Sequence, residues 1–145
     1  MQLQECKIIL LITEAIDKTI PTVYTNMASG MQRKSFDSPD ETRKFENGKM
    51  DIAKLGDTTI GRINFEPGWK WSTSVKPLVK TNSCQQHHTM YVISGRMRVR
   101  MDDGTEQEFG PGDTGVVPPG HDAWVVGNER CVAIDFTGAK TYAKQ

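Results

Sequence analysis

Three side chains of this sequence can serve as ligands of a transition metal: Cys84, His88 and His121. Thiolate with neutral imidazole suits a borderline ion such as Zn²⁺ or Fe²⁺, and the ion expected is a divalent Zn, Fe, Mn or Ni. On an extended strand Cys84, Gln86, His88, Met90 and Val92 share one face, and apolar Met90 and Val92 turn that face inward, leaving His87 outside. Straight strand would hold Cys84 and His88 about 13 Å apart, so a shared ion requires a bend near Gln85-Gln86. In the competing reading His88 is a hydrogen-bonded core histidine, Cys84 a small apolar filler and His121 a loop cap after Pro118-Pro119-Gly120. Around these groups, Gln86, Met90, Asp122, Trp124 and Asp135 are the expected contacts of a small-molecule ligand. Asp135 interrupts an apolar strand and needs a partner if it faces inward. Trp69, Trp71 and Trp124 form an aromatic wall for that ligand, or else close the ends of the core or pack a dimer interface. No G-x-S-x-G, glycine-rich phosphate loop or H-E-x-x-H occurs, so serine hydrolase, P-loop and zincin chemistry have no signal.

These residues lie in a series of short alternating runs. Lys49–Leu55 and Thr58–Glu66 flank Gly56-Asp57, a hairpin signature. Pro67-Gly68 then turns into a segment read as extended, with Trp69 and Trp71 on one side. Gln85–Ser94 leads to Gly95. Next, Met97, Val99 and Met101 alternate with Arg96, Arg98 and Arg100, an inward and an outward face. Runs follow at Thr105–Phe109, Thr114–Val117, Ala123–Val126 and Arg130–Phe136, divided by Asp103-Gly104, Gly110-Pro111-Gly112-Asp113, Pro118-Pro119-Gly120 and Gly127-Asn128. Eight or so strands at a spacing of roughly 8–12 residues, with no helix between them, predict an antiparallel sandwich or barrel. Ile8, Ile9, Ile12, Ile16 and Ile20 fit a short helix, while their β-branching fits a strand; residues 21–48 read as a connector.

A chain of 145 residues with eighteen basic and eighteen acidic side chains has room for one domain and no field to attract a polyanion. The balance is even, seven of each sign in residues 1–50 and eleven of each afterwards. Neither nucleic acid nor a membrane is an expected partner. Three cysteines without a C-x-x-C pair fit a reducing cytoplasm. The apolar run Ile8–Ile12 is far short of the about 20 residues of a membrane helix, and it lacks the flanks of a signal peptide.

From Thr58 to Gly138 the sequence resembles the cupin superfamily. Gly112, Pro118, Pro119 and Gly120 follow the front of the second cupin motif, Gly-x5-Pro-x-Gly. Gly95 followed by Arg-Met-Arg-Val follows the end of the first, and the Asp103-Gly104 hairpin lies between them. It also looks like short bacterial cupins that carry Cys-Gln-x-x-His and Pro-Pro-Gly-His-Asp-Ala-Trp. The resemblance implies an all-β jelly-roll barrel, or double-stranded β-helix, over residues 49–138, with an N-terminal helix or strand extension (1–48) and a tail (139–145). It also implies metal ligands at four positions, from which this chain departs. His88 stands where the family has Glu, Cys84 and Asn82 where it has two His, and Ala123 where it has the last His, with His121 two residues early. A small-molecule-binding cupin with ligand in the barrel and a degenerate metal site is therefore expected. The alternatives are a metal-dependent oxygenase, isomerase or decarboxylase for a small organic acid or sugar, and a packed interaction module. The exposed edges of an open jelly roll and the Ile8–Ile12 run lead us to expect a homodimer paired through the N-terminal segment.

Overall fold

In the computed structural model, which describes residues 30–144, the Gly56-Asp57 signal is a hairpin. Strands β2 (Gly48–Leu55) and β3 (Thr58–Phe65) pair antiparallel from Leu55↔Thr58 to Gly48↔Phe65, with Gly56 in the left-handed region that such a turn requires. The remaining strands are β1 (Glu41–Phe45), β4 (His88–Ser94), β5 (Met97–Met101), β6 (Glu106–Phe109), β7 (Thr114–Val117), β8 (His121–Val125) and β9 (Cys131–Asp135). One sheet has the order β1-β2-β3-β9-β4-β7 and the other β6-β5-β8, with antiparallel pairing throughout. The fold is an antiparallel jelly roll. The chain from Gln32 onward forms one compact unit, and none of the described helices is long and apolar enough to cross a membrane.

Alternation decides what each strand contributes. Met97 and Val99 of β5 are buried, while Arg96 and Arg98 face outward and pair with Glu108 across β6. Met50, Ile52, Ile63, Phe65, Met90 and Val92 of the larger sheet meet Met97, Val99, Ala123 and Val125 of the smaller one. Burial of each large side chain contributes roughly 1.5–3 kcal/mol. Gly95 has φ +68, and a Cβ there would run into the backbone of Arg130 and Cys131. Only glycine lets the β4–β5 turn close against the start of β9.

Three features differ from the sequence reading. The sheet already includes Glu41–Phe45, which was read as part of the connector. Two short helices, α1 (Trp71–Ser74) and α2 (Lys76–Val79), stand between β3 and β4 where no helix was expected. Trp71 opens α1, so Trp69 and Trp71 do not share one side of an extended segment. At four residues each, these helices are too short to leave a 3.6-residue period, and Pro77 near the start of α2 is their main local sign. Finally, β4 begins at His88 and not at Gln85. The expected Ile8–Ile20 element and its role in a dimer lie outside the described residues.

Candidate metal centre

The bend that the metal reading requires is present. Cys84 forms an isolated bridge opposite His121: its N–H donates to His121 O at 2.7 Å, and Gly120 N–H donates to its carbonyl at 2.7 Å. The chain then turns through Gln85–His87 and enters β4 at His88, which pairs with Val117. Cys84 Sγ therefore lies 3.7 Å from His88 Nε2, although the two residues stand four positions apart in the chain. The turn is tied at its far side by Thr137, whose hydroxyl accepts from Thr89 N–H and donates to His87 O.

His121 completes the group. It opens β8 with the parity of Ala123 and Val125, all three buried, while Asp122 and Trp124 take the other face. The donor atoms of Cys84, His88 and His121 lie within 4.8 Å of one another, and all three residues are buried. A tetrahedral zinc with bonds of about 2.3 Å to sulfur and about 2.05 Å to nitrogen places S and N about 3.6 Å apart. The observed 3.7 Å fits that geometry. Each imidazole is oriented from behind. Asp135 Oδ2 lies 2.6 Å from His88 Nδ1, and the Pro118 carbonyl lies 2.7 Å from His121 Nδ1. Both partners accept, so each Nδ1 carries a proton and each Nε2 is the atom left for a metal, an arrangement typical of metal-binding histidines.

Asp135 is fully buried and also accepts from Thr137 N–H at 3.0 Å and Gly138 N–H at 2.9 Å. The turn after β9 thus holds the carboxylate, and the carboxylate holds the imidazole. Burial pushes the Cys84 thiol up, but the neighbouring side chains of His121 and His88 outweigh it and bring it down to about 6. Burial pushes His88 down, and the hydrogen bonds to Asp135 and Cys84 outweigh that and raise it to about 9. Both shifts act in the direction of a thiolate–imidazolium pair in the metal-free protein. Burial pushes the other described cysteine, Cys131, up to about 11. In metal-free protein, absorbance near 240 nm is therefore expected to rise by one thiolate as pH increases through about 6. That step should be missing in Cys84→Ser; a wild-type titration without it would contradict the pairing.

The histidines line a cavity of about 30 Å³ inside the barrel, with Ile63, Phe65, Met90, Met97, Val99 and Val117 among its apolar walls. Trp69, Trp71 and Tyr142 also line it. Of the expected ligand contacts, Met90 lines this cavity and Asp135 acts behind His88. Gln86, Asp122 and Trp124 do not line it. Gln86 lies in the bend, outside the strand parity that linked it to His88, and accepts from the Thr141 hydroxyl. Asp122 caps Ser72 N–H from the outer face of β8, and Trp124 lies beneath Lys70 and Arg100. Gly138, Tyr142 and Arg43 also shape the site and are not among the residues that the sequence singles out. Tyr142 is the only aromatic residue of the tail 139–145, and that was its one available signal. Its ring meets His88 edge-on at 5.5 Å.

Residues 69–132 match the family profile of the EutQ-like cupin domain. No curated protein matches the sequence. Among solved structures, the chain is similar to a protein of unknown function from Rhizobium leguminosarum bv. viciae (22% identity, TM-score 0.55, covering 74% of this chain and 96% of that one). It is also similar to the polyketide cyclase RemF from Streptomyces resistomycificus (17%, TM-score 0.54, 76% and 80%). A third similar structure is the formate complex of oxalate decarboxylase from Lactobacillus farciminis (19%, TM-score 0.51, 70% of this chain). The match spans 32% of that decarboxylase, about a third of its length. At these identities the likeness is one of fold. Taken with the jelly-roll strand order and the turn motifs around Gly95 and Gly112–Gly120, the profile match identifies a EutQ-like cupin domain over residues 69–132.

Proposed function

We propose that this cupin binds one divalent transition metal through Cys84, His88 and His121 and presents a further coordination position to a small molecule in the barrel. The observation that carries the reading is the convergence of three buried donors within 4.8 Å, with both imidazoles held from behind. The donor set favours Zn²⁺ or Fe²⁺ over Mn²⁺, which prefers oxygen ligands. Three protein ligands leave a position open, as in catalytic and not structural zinc sites. Bound there, the metal would supply Lewis acidity toward an oxygen of the ligand. Cys84 and the histidines bind it, Asp135 and the Pro118 carbonyl fix the imidazole protons on Nδ1, and the apolar walls exclude bulk water.

Within this reading, the substrate class narrows. A cavity of about 30 Å³ has no room for a sugar ring, since one water alone needs about 10–15 Å³. A small acid or a ligand of similar size is favoured. The alternative of a packed, metal-free module predicts no stoichiometric metal. Elemental analysis of protein purified without a metal-affinity tag distinguishes the two. We expect close to one Zn or Fe per chain in the wild type, and a loss of at least tenfold in affinity for Cys84→Ser and His88→Ala. Metal-free wild-type protein that also fails to take up added Zn²⁺ or Fe²⁺ would refute the proposal.

A further inference from the structure

Two buried polar atoms without a hydrogen-bond partner belong to side chains that line the histidine cavity: the indole Nε1 of Trp69 and the phenol Oη of Tyr142. Trp69 is 2% exposed and Tyr142 3%. Leaving a buried donor unpaired costs about 1–3 kcal/mol, and native interiors tolerate few such groups. The two orphans therefore mark a place where the partner arrives with the ligand. An indole N–H can only donate, and a phenol donates readily. The other polar groups of the wall are the indole N–H of Trp71, itself a donor, and the imidazoles of His88 and His121, whose Nδ1 atoms are already engaged. The cavity lining carries no free carboxylate and no Lys or Arg. A ligand that complements two donors and a metal must offer acceptor atoms and negative charge.

Size sets the other limit. At about 10–15 Å³ for one water, the cavity of about 30 Å³ admits a ligand of about two to four heavy atoms. Tyr142 is held in place from outside. The Arg43 guanidinium, 8% exposed, donates to Tyr142 O at 2.6 Å, to Ala139 O at 2.8 Å and to Lys140 O at 3.3 Å. It clamps the segment that follows Gly138, so the phenol is positioned before any ligand enters.

We infer that Trp69 and Tyr142 are the donor side of a site for a small anion, such as a short carboxylate, bound at the open position of the metal. This inference rests on the metal reading above. It makes Tyr142 a ligand-contacting residue and gives the C-terminal segment a part in specificity.

The test uses the full chain loaded with Co²⁺, whose visible bands report its coordination, titrated with formate and with azide. We expect both to shift the bands and benzoate to leave them unchanged. Tyr142→Phe should keep its Co²⁺ stoichiometry, melt no lower than the wild type without anion, and bind formate about tenfold more weakly. That loss corresponds to about 1.4 kcal/mol. Trp69→Phe should weaken formate similarly. Stoichiometric Co²⁺ with a spectrum indifferent to both anions would overturn this inference and leave the metal reading standing, as would unchanged formate affinity in Tyr142→Phe. A wild type that takes up no Co²⁺ would overturn the metal reading, and this inference with it.

Discussion

Asp135→Ala is expected to destabilise the protein by about 3–5 kcal/mol, the range for removing one partner of a buried charged pair. Asp135 is fully buried, lies 2.6 Å from His88 Nδ1, and accepts two backbone N–H groups from the turn that follows it. Alanine would strand all three donors. Denaturant unfolding should show a lower midpoint with an unchanged slope. Asp135→Asn separates the structural contribution from the orienting one. Its carbonyl can still accept from Thr137 and Gly138, but its NH₂ faces His88 Nδ1. The imidazole proton is then driven to Nε2, where it occupies the lone pair a metal needs. Metal affinity should fall about 10–100-fold, with a smaller loss of stability than in Asp135→Ala. An Asp135→Asn variant with wild-type affinity would show that the carboxylate only packs.

Gly138→Ala is expected to weaken the metal centre without replacing a ligand. A Cβ at this position would overlap both His88 Nδ1 and Asp135 Oδ2. The conflict is one of space alone, since the left-handed region is not involved here. Overpacking of this kind costs about 1–3 kcal/mol. Because the displaced atoms are the imidazole and its carboxylate, metal affinity should fall by more than tenfold. Gly104→Ala is the control: it carries backbone strain at φ +91, with nothing within 4 Å of the added methyl. It should lower the melting temperature and leave affinity alone. Thermal melts with and without added Zn²⁺ read both quantities. Equal zinc-induced stabilisation in Gly138→Ala and the wild type would contradict the packing argument.

The strands were legible because a two-residue period and glycine turns are local signals, as in Met97–Met101 and at Gly56. Cys84, His88 and His121 were legible as ligand types, and the need for a bend followed from the rise of a strand. Parity failed where strand ends were uncertain. Gln86 shares the parity of His88 only if the strand extends through it, and β4 begins after it. In β8 the inward set is 121, 123 and 125, which turns Asp122 and Trp124 outward. The parts of the site that were not legible are non-local or carried by backbone. Arg43 holds carbonyls 96 to 99 residues away, the Pro118 carbonyl has no side-chain signature, and Gly138 matters only through what it allows His88 and Asp135 to approach. Tyr142 lies in a tail whose short 3₁₀ turn, Gly138–Lys140, leaves no periodic pattern.

X-ray absorption at the zinc edge of the zinc-loaded chain counts the sulfur and imidazole neighbours of the ion itself. The expected shell is one sulfur at about 2.3 Å, two imidazole nitrogens at about 2.0–2.1 Å, and one further light atom completing four-coordination. The sulfur shell should be lost in Cys84→Ser. A shell of nitrogen and oxygen alone in the wild type, or a sulfur that persists in Cys84→Ser, would contradict metal binding by Cys84, His88 and His121.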